Sequence, residues 1–302
     1  MKLLIQPKDG ISPLIAAIKK ARKSIELVIF RFDLDDIERA LQAAVGRGVQ
    51  VHALIAHTNQ GGAGRLRKLE QRLLGAGATV DRTGDDFIRY HGKFMIVDRT
   101  TLWVLGFNYT RLDITRSRSF GIVTKNEKTV QDAVKLFEAD CARRPYVATG
   151  SLLVSPENAR AQLSAFLGKA KRQLLIYDPK VSDTRIIRLL KERAKAGVEV
   201  RIIGKVSSRG DDLVHQKYPG HRLHVRAIVR DGRQAFVGSQ SLRRLELDKR
   251  REVGVFVTNG TVVKELIATF ETDWAQTGLG RERETERQNA VETVTLAAAA
   301  RS

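Results

Sequence analysis

The chain is written twice, and this repeat constrains its fold more than any other feature. The segment "KARKSIELVI" (20–29) precedes a helical pattern and then "GRGVQVHALI" (46–55). Further on, "KAKRQLLIYD" (169–178) precedes another helical pattern and "KAGVEVRIIG" (195–204). Ala21 matches Ala170 and Gly48 matches Gly197, both at an offset of 149 residues. Each copy reads as helix, short β-branched strand, amphipathic helix closed by glycine, then a second strand. That is the grammar of an α/β sheet with parallel strands.

The later parts repeat at an offset of 133: His91 meets His224, Asp98 meets Asp231, Arg111 meets Arg244, Asn126 meets Asn259, and "LFEAD" (136–140) meets "TFETD" (269–273). The offset changes by 16 residues because the first copy carries an additional helical segment, "GRLRKLEQRLLGAG" (64–77). The expected fold is therefore α/β: two similar domains with mixed, mostly parallel sheets, spanning 1–146 and 147–280 and related by an approximate twofold axis. Equivalent residues of both halves can then converge on one cleft. Residues 281–302, charged and then Ala-rich, read as a disordered or helical tail.

Composition narrows the partners. Lys and Arg outnumber Asp and Glu by 53 to 34, for a formal charge of +19, which favours polyanions or anionic surfaces. Cys141 is the only cysteine, so no disulfide framework forms and no thiolate metal site is expected. The opening "MKLLIQPKDG" is too polar for a signal peptide, and no run approaches the roughly 18 apolar residues of a membrane span. The expected location is the cytoplasm, with work on membranes done peripherally, at the inner surface.

The candidate site is the doubled pattern His91-x-Lys93-x4-Asp98 and His224-x-Arg226-x4-Asp231. In a strand, residues two apart share a face, so each His and its cation project together. An imidazole can attack phosphorus or move a proton while a fixed cation neutralises phosphoryl oxygens. One such spacing arises by chance; two copies at equivalent places, each followed by a Gly/Ser/Asn turn ("LGFN" at 105–108, "GSQS" at 238–241), point to chemistry. His52, His57, His215 and His221 lack partners in the opposite copy and read as surface or loop residues.

These residues resemble the phospholipase D superfamily, defined by a doubled H-x-K-x4-D-x6-G-S-x-N pattern with a downstream acid, and run closest to its bacterial cardiolipin synthase-like members. The resemblance implies two domains meeting at one site, no metal or other cofactor, and a covalent phosphohistidine intermediate. One His attacks phosphorus; the other protonates the leaving alcohol and then activates water or an acceptor alcohol. It further implies that His91, Lys93, His224 and Arg226 act at the phosphate, that Asn108 and Ser239 hold it, and that Glu252 orients a histidine. Asp98 and Asp231 belong to the pattern, but their odd spacing from the cations suits a structural role.

The two copies depart from the pattern differently. Arg226 replaces lysine, Gly106 stands where serine is expected, and Ser241 stands where asparagine is expected. Glu252 lies 28 residues after His224, and Ser119 stands at that distance after His91. Glu252 is thus expected to orient His224, leaving His91 to Asp113 or a backbone carbonyl. The basic runs 111–118 and 243–251 are expected to funnel an anion into the cleft.

Three functions stay open on this basis. One is a phosphodiesterase or phosphatidyltransferase acting on anionic phospholipid at a membrane surface. The second is an endonuclease or other nucleic-acid phosphodiesterase, and the third a catalytically weak phosphate-binding module. Hydrolysis and transfer are not distinguished, nor is the nucleophilic histidine.

Overall fold

Short turns and glycine stops set the element order in the computed structural model, which describes residues 1–57, 63–207, 213–282 and 285–286. The first half runs β1 (Lys2–Gln6), α1 (Ser12–Lys20), β2 (Ser24–Ile29), α2 (Asp35–Gly46), β3 (Gln50–Ile55), α3 (Ala63–Gly75) and β4 (Thr79–Arg82). It continues through β5 (Arg89–Tyr90), β6 (Phe94–Val97), β7 (Thr101–Leu105), α4 (Arg111–Thr115), β8 (Ser117–Thr124) and α5 (Glu127–Cys141). The second half repeats this order as β9 (Leu153–Ser155), α6 (Ala159–Gly168), β10 (Gln173–Val181), α7 (Thr184–Lys195), β11 (Glu199–Val206) and β12 (Val214–Gln216). Then follow β13 (Arg222–Leu223), β14 (Ala227–Arg230), β15 (Gln234–Gly238), α8 (Arg244–Asp248), β16 (Arg250–Val257) and α9 (Gly260–Ala275). Helix α3 is the inserted segment; from β11 to β12 no helix occurs among the described residues. The tail expectation lies largely outside them.

The matched residues do matched jobs. Gly48 and Gly197 follow α2 and α7 at φ +83° and +84°, a left-handed stop that costs other residues energy. Asn126 and Asn259 cap α5 and α9, accepting from the backbone N–H of Thr129 (3.0 Å) and Val262 (3.1 Å).

Two eight-stranded sheets result, ordered β1-β8-β7-β6-β2-β3-β4 and β12-β11-β10-β14-β15-β16-β5, with β13 also on β8 and β9 on β16. Both are mixed, but they are less parallel than the helical crossovers suggest. Among the described residues, parallel pairing within each half is confined to β2–β3–β4 and β10–β11–β12. Strands β6–β7–β8 and β14–β15–β16 run antiparallel; residues 98–100 and 231–233, which join β6 to β7 and β14 to β15, are turns too short for a crossover.

The halves exchange strands. Strand β5 of the first half pairs with β16 of the second, and β13 of the second with β8 of the first. A core shared by both sheets lies between them: Phe94, Ile96, Val104 and Phe120 meet Tyr177, Val229, Val237 and Val255, with Phe137 of α5 and Phe270 of α9. Helices α1 to α3 cover the outer face of the first sheet, and α6 and α7 that of the second. Strand β6 is buried on both faces, Phe94 and Ile96 in the shared core and Met95 and Val97 in the outer one. Among the described residues no helix is long and apolar enough to cross a membrane.

Candidate active site

Each motif histidine sits just after an exchanged strand. His91 and Lys93 are not on a β-strand, as their spacing suggests, but in the extended link between β5 and β6; His224 and Arg226 occupy the equivalent link between β13 and β14. The partner half pins each link: His91 N–H donates to the Arg251 carbonyl (2.8 Å) and His224 N–H to the Arg118 carbonyl (3.1 Å). Both histidines are buried, and Lys93 almost completely so.

This exchange reverses the expected pairing of acids and histidines. Glu252, next to Arg251 on β16, lies 2.9 Å from His91 Nδ1, so it serves the first-half histidine and not His224. Asp113 of the first half stands 3.4 Å from His224 Nδ1, ion-pair range and longer than a hydrogen bond. Its oxygens are otherwise engaged: Oδ2 accepts from the Asn108 N–H and side-chain amide (2.7 Å each) and Oδ1 from Arg222 (2.7 Å). Ser119, the repeat equivalent of Glu252, also faces the opposite histidine and donates to the His224 carbonyl (3.0 Å).

Cations crowd the histidines. Lys93 Nζ lies 3.0 Å from His91 Nε2 and donates to the His91 carbonyl at 2.7 Å. Burial, then the positive charges of Lys93, Arg226, Arg250 and Arg89, hold the His91 pKa well below its ordinary value. Burial, then Arg226, Lys93, Arg222 and His91 itself, do the same to His224. Lys93 is lowered to about 7, by burial first and by Arg226 and Arg250, against the pull of Glu252 and Asp113. Burial pushes the Glu252 carboxyl up, opposed by Lys93, Ser239 and Arg226. Phe30 lies edge-on to His91 with ring centroids 4.7 Å apart.

Several buried polar atoms point here without a protein hydrogen-bond partner: Asn108 Oδ1, His224 Nδ1, Arg226 Nε and Glu252 Oε1. Buried polar groups are otherwise almost always satisfied, so this constellation suits a polar ligand with donors and acceptors, and the charge around it suits an anion. Ser239 is buried and bonded to Val253, accepting from its N–H (3.1 Å) and donating to its carbonyl (3.3 Å).

Asp98 and Asp231 stay out of the site. Both sit in β-turns at φ +53° and +55°. Asp98 accepts from the N–H groups of Arg22, Lys23 and Ser24, and Asp231 from those of Lys171, Arg172 and Gln173. They fasten each hairpin to the turn that enters β2 or β10, a structural role such as their spacing suggests. Burial opposes but does not cancel these bonds, and both carboxyls are lowered.

The basic runs divide: Arg250 acts on His91 and Lys93, while two matched arginines pair elsewhere. Arg118 and Arg251 are each tied to the acid closing the final helix of the opposite half. Arg118 Nε lies 2.8 Å from Asp273, and Arg251 Nη2 lies 3.0 Å from Asp140. Arg89 and Arg222, repeat equivalents two residues before each histidine, act on the histidines beside Arg226 and Arg250 and were not among the expected site residues. Gly106 also acquires a reason. A Cβ there would lie 2.7 Å from the Phe120 carbonyl oxygen and 3.2 Å from that of Gly238, so the serine of the pattern does not fit.

A mixed α/β pair of domains sharing a site of two histidines, a lysine and an arginine defines a phospholipase D-like protein. The chain belongs to the phospholipase D superfamily: the family described as "Cardiolipin synthase, PLD-like domain" matches residues 14–141 and 163–274. The mitochondrial cardiolipin hydrolase of Canis lupus familiaris is 31% identical over 135 residues, 43% of this chain and 50% of the relative. That of Homo sapiens is 30% identical over the same shares. The chain thus matches about half the length of these relatives. Among solved structures, polyphosphate kinase from Porphyromonas gingivalis superposes with a TM-score of 0.75 at 19% identity, over 89% of this chain and 49% of that one. Phosphatidylserine synthase from Haemophilus influenzae Rd KW20 does so with 0.66 at 13% identity, over 90% and 84%. At these identities they share the fold.

Proposed function

We propose that this protein is a phosphodiesterase or phosphatidyltransferase acting on anionic phospholipid, peripherally at the cytoplasmic face of a membrane. The halves, taken as 1–146 and 147–280, work as one catalytic unit. The observation that carries this reading is the crossed pairing of His91 with Glu252 and His224 with Asp113 inside a ring of cations. A cardiolipin hydrolase as a relative and the cardiolipin synthase-like family match favour lipid as the substrate.

His91 is the nucleophile. Glu252 holds Nδ1 and leaves Nε2 to attack phosphorus, and its charge stabilises the cationic phosphohistidine. With the negative charge of the bound phosphodiester offsetting the surrounding cations, His224 enters the step as the imidazolium; as the P–N bond forms, the P–O bond to the leaving alcohol breaks, and that oxygen takes the proton from His224, which becomes the neutral base. The looser Asp113 contact suits a histidine that must release and regain a proton. His224 then takes the proton of water or of an acceptor alcohol, whose oxygen displaces His91. Lys93 and Arg226 neutralise the phosphoryl oxygens, a task a metal performs elsewhere, and Asn108 and Ser239 border the phosphate.

A nucleic-acid phosphodiesterase is the second reading, favoured by the net charge of +19. Cardiolipin vesicles and single-stranded DNA, each with chelator, separate the two. Lipid turnover that is lost in both His91→Ala and His224→Ala supports the proposal; DNA cleavage alone supports the second reading. Wild-type turnover in both variants rules out histidine chemistry.

A further inference from the structure

Away from the proposed catalytic histidines, three metal-binding side chains of different type converge on one spot. His52 lies on β3, Asp81 on β4 and Cys141 at the last position of α5. The parallel register sets His52 beside Thr79, and Asp81, two residues beyond Thr79, shares that face. Helix α5 packs on the same face: the Phe137 ring meets the His52 ring edge-on, with centroids 4.9 Å apart. Cys141 stands one turn after Phe137 and so projects on the same side of the helix. His52 Nε2 is 2.7 Å from Asp81 Oδ2, and a ligand atom from each of His52, Asp81 and Cys141 lies within 4.8 Å of the others.

We propose that His52, Asp81 and Cys141 form a binding site for a borderline-soft divalent cation, Zn²⁺ foremost. One imidazole nitrogen, one thiolate and one carboxylate oxygen are a zinc donor set, with a fourth position open to water. Tetrahedral zinc spaces its ligand atoms roughly 3.3 to 3.8 Å apart, so closure asks for movements of about 1 Å or less, within side-chain reach. The three residues are half-buried or partly exposed, which leaves a route from solvent. Binding replaces the His52–Asp81 bond with metal–ligand bonds and releases the Cys141 thiol proton to water. His52, expected at the surface or in a loop, is a strand residue facing a helix; the proposed site departs from the expectation that a single cysteine makes no thiolate site, because a histidine and an acid join it.

The site would bolt the C-terminal end of α5 to the edge of the first sheet. The preceding residue, Asp140, holds Tyr90 (2.6 Å) and Arg251 (3.0 Å), so the bolt also bears on the strand exchange. Cobalt tests this on the full-length, reduced protein. Co²⁺ should give a thiolate-to-cobalt charge-transfer band in the near ultraviolet, saturating at one ion per chain and abolished by Zn²⁺. The band should vanish in Cys141→Ser, weaken at least tenfold in apparent affinity in His52→Gln, and persist in a His91→Ala/His224→Ala variant. Zn²⁺ should raise the melting temperature of the wild type and not of Cys141→Ser. Absence of the band in the folded wild type, or its survival in Cys141→Ser, overturns the proposal.

Discussion

Glu252 of the second half stands 2.9 Å from Nδ1 of His91 in the first, while Asp113 of the first half stands 3.4 Å from Nδ1 of His224 in the second. The tighter pair should matter more. Glu252→Gln keeps the shape and removes the charge, and we expect kcat to fall by about 10²-fold or more with KM little changed. Asp113→Asn should cost roughly tenfold. Steady-state kinetics of both variants measures this; equal losses would mean that the two histidines are oriented to the same degree.

Lys93 links function to pH. Its pKa falls from 10.5 to about 7 on folding, so between those values the unfolded chain binds the proton and the folded one does not. Stability contributed by this residue therefore rises with pH across that window and is least below about 7. Lys93→Met should stabilise the fold, most at acidic pH, with the advantage shrinking towards pH 10. In activity the same group predicts an alkaline limb as Lys93 loses its charge, and Lys93→Arg should shift that limb upward. Melting curves and kcat/KM profiles at several pH values test both.

Arg251 and Asp140 form a buried ion pair across the strand exchange, with Tyr90 hydrogen-bonded to the same acid. Arg251→Ala leaves that acid buried without its cation, held only by the Tyr90 phenol, and should cost about 3 to 5 kcal/mol in denaturant titration. The exposed Asp36–Arg39 pair is the control, and Asp36→Ala should leave the midpoint unmoved.

Restoring the family pattern at position 106 should harm the protein. Gly106→Ser sets a Cβ against two carbonyl oxygens, and the resulting backbone shift should cost about 1 to 3 kcal/mol. A lower melting temperature with no gain in turnover is expected; greater activity would show that the turn has room.

The repeat made much of this legible. Gly48 with Gly197, and Asn126 with Asn259, report backbone needs that recur wherever the same element recurs, so one sequence aligned on itself exposes them. His91 and His224 were found the same way. Pairings across the halves were not legible, because spacing along the chain cannot say which half a strand joins. Counting forward from His224 reaches Glu252, yet β5 lies beside β16, and the carboxylate faces His91. Arg118 and Arg251 misled for the same reason: a repeated arginine beside a phosphate motif looks like a steering charge until its acid arrives from the other half. The cluster of His52, Asp81 and Cys141 leaves no trace in spacing, since two strands and a helix end bring it together.

Trapping the covalent intermediate tests the central claim most directly. The wild type is mixed with cardiolipin, quenched under alkaline conditions that preserve phosphoramidate bonds, digested and mapped by mass spectrometry. We expect a phosphorus adduct on His91, retained longer in His224→Ala and absent in His91→Ala. Turnover with no adduct on either histidine, in the wild type and in His224→Ala alike, would contradict it.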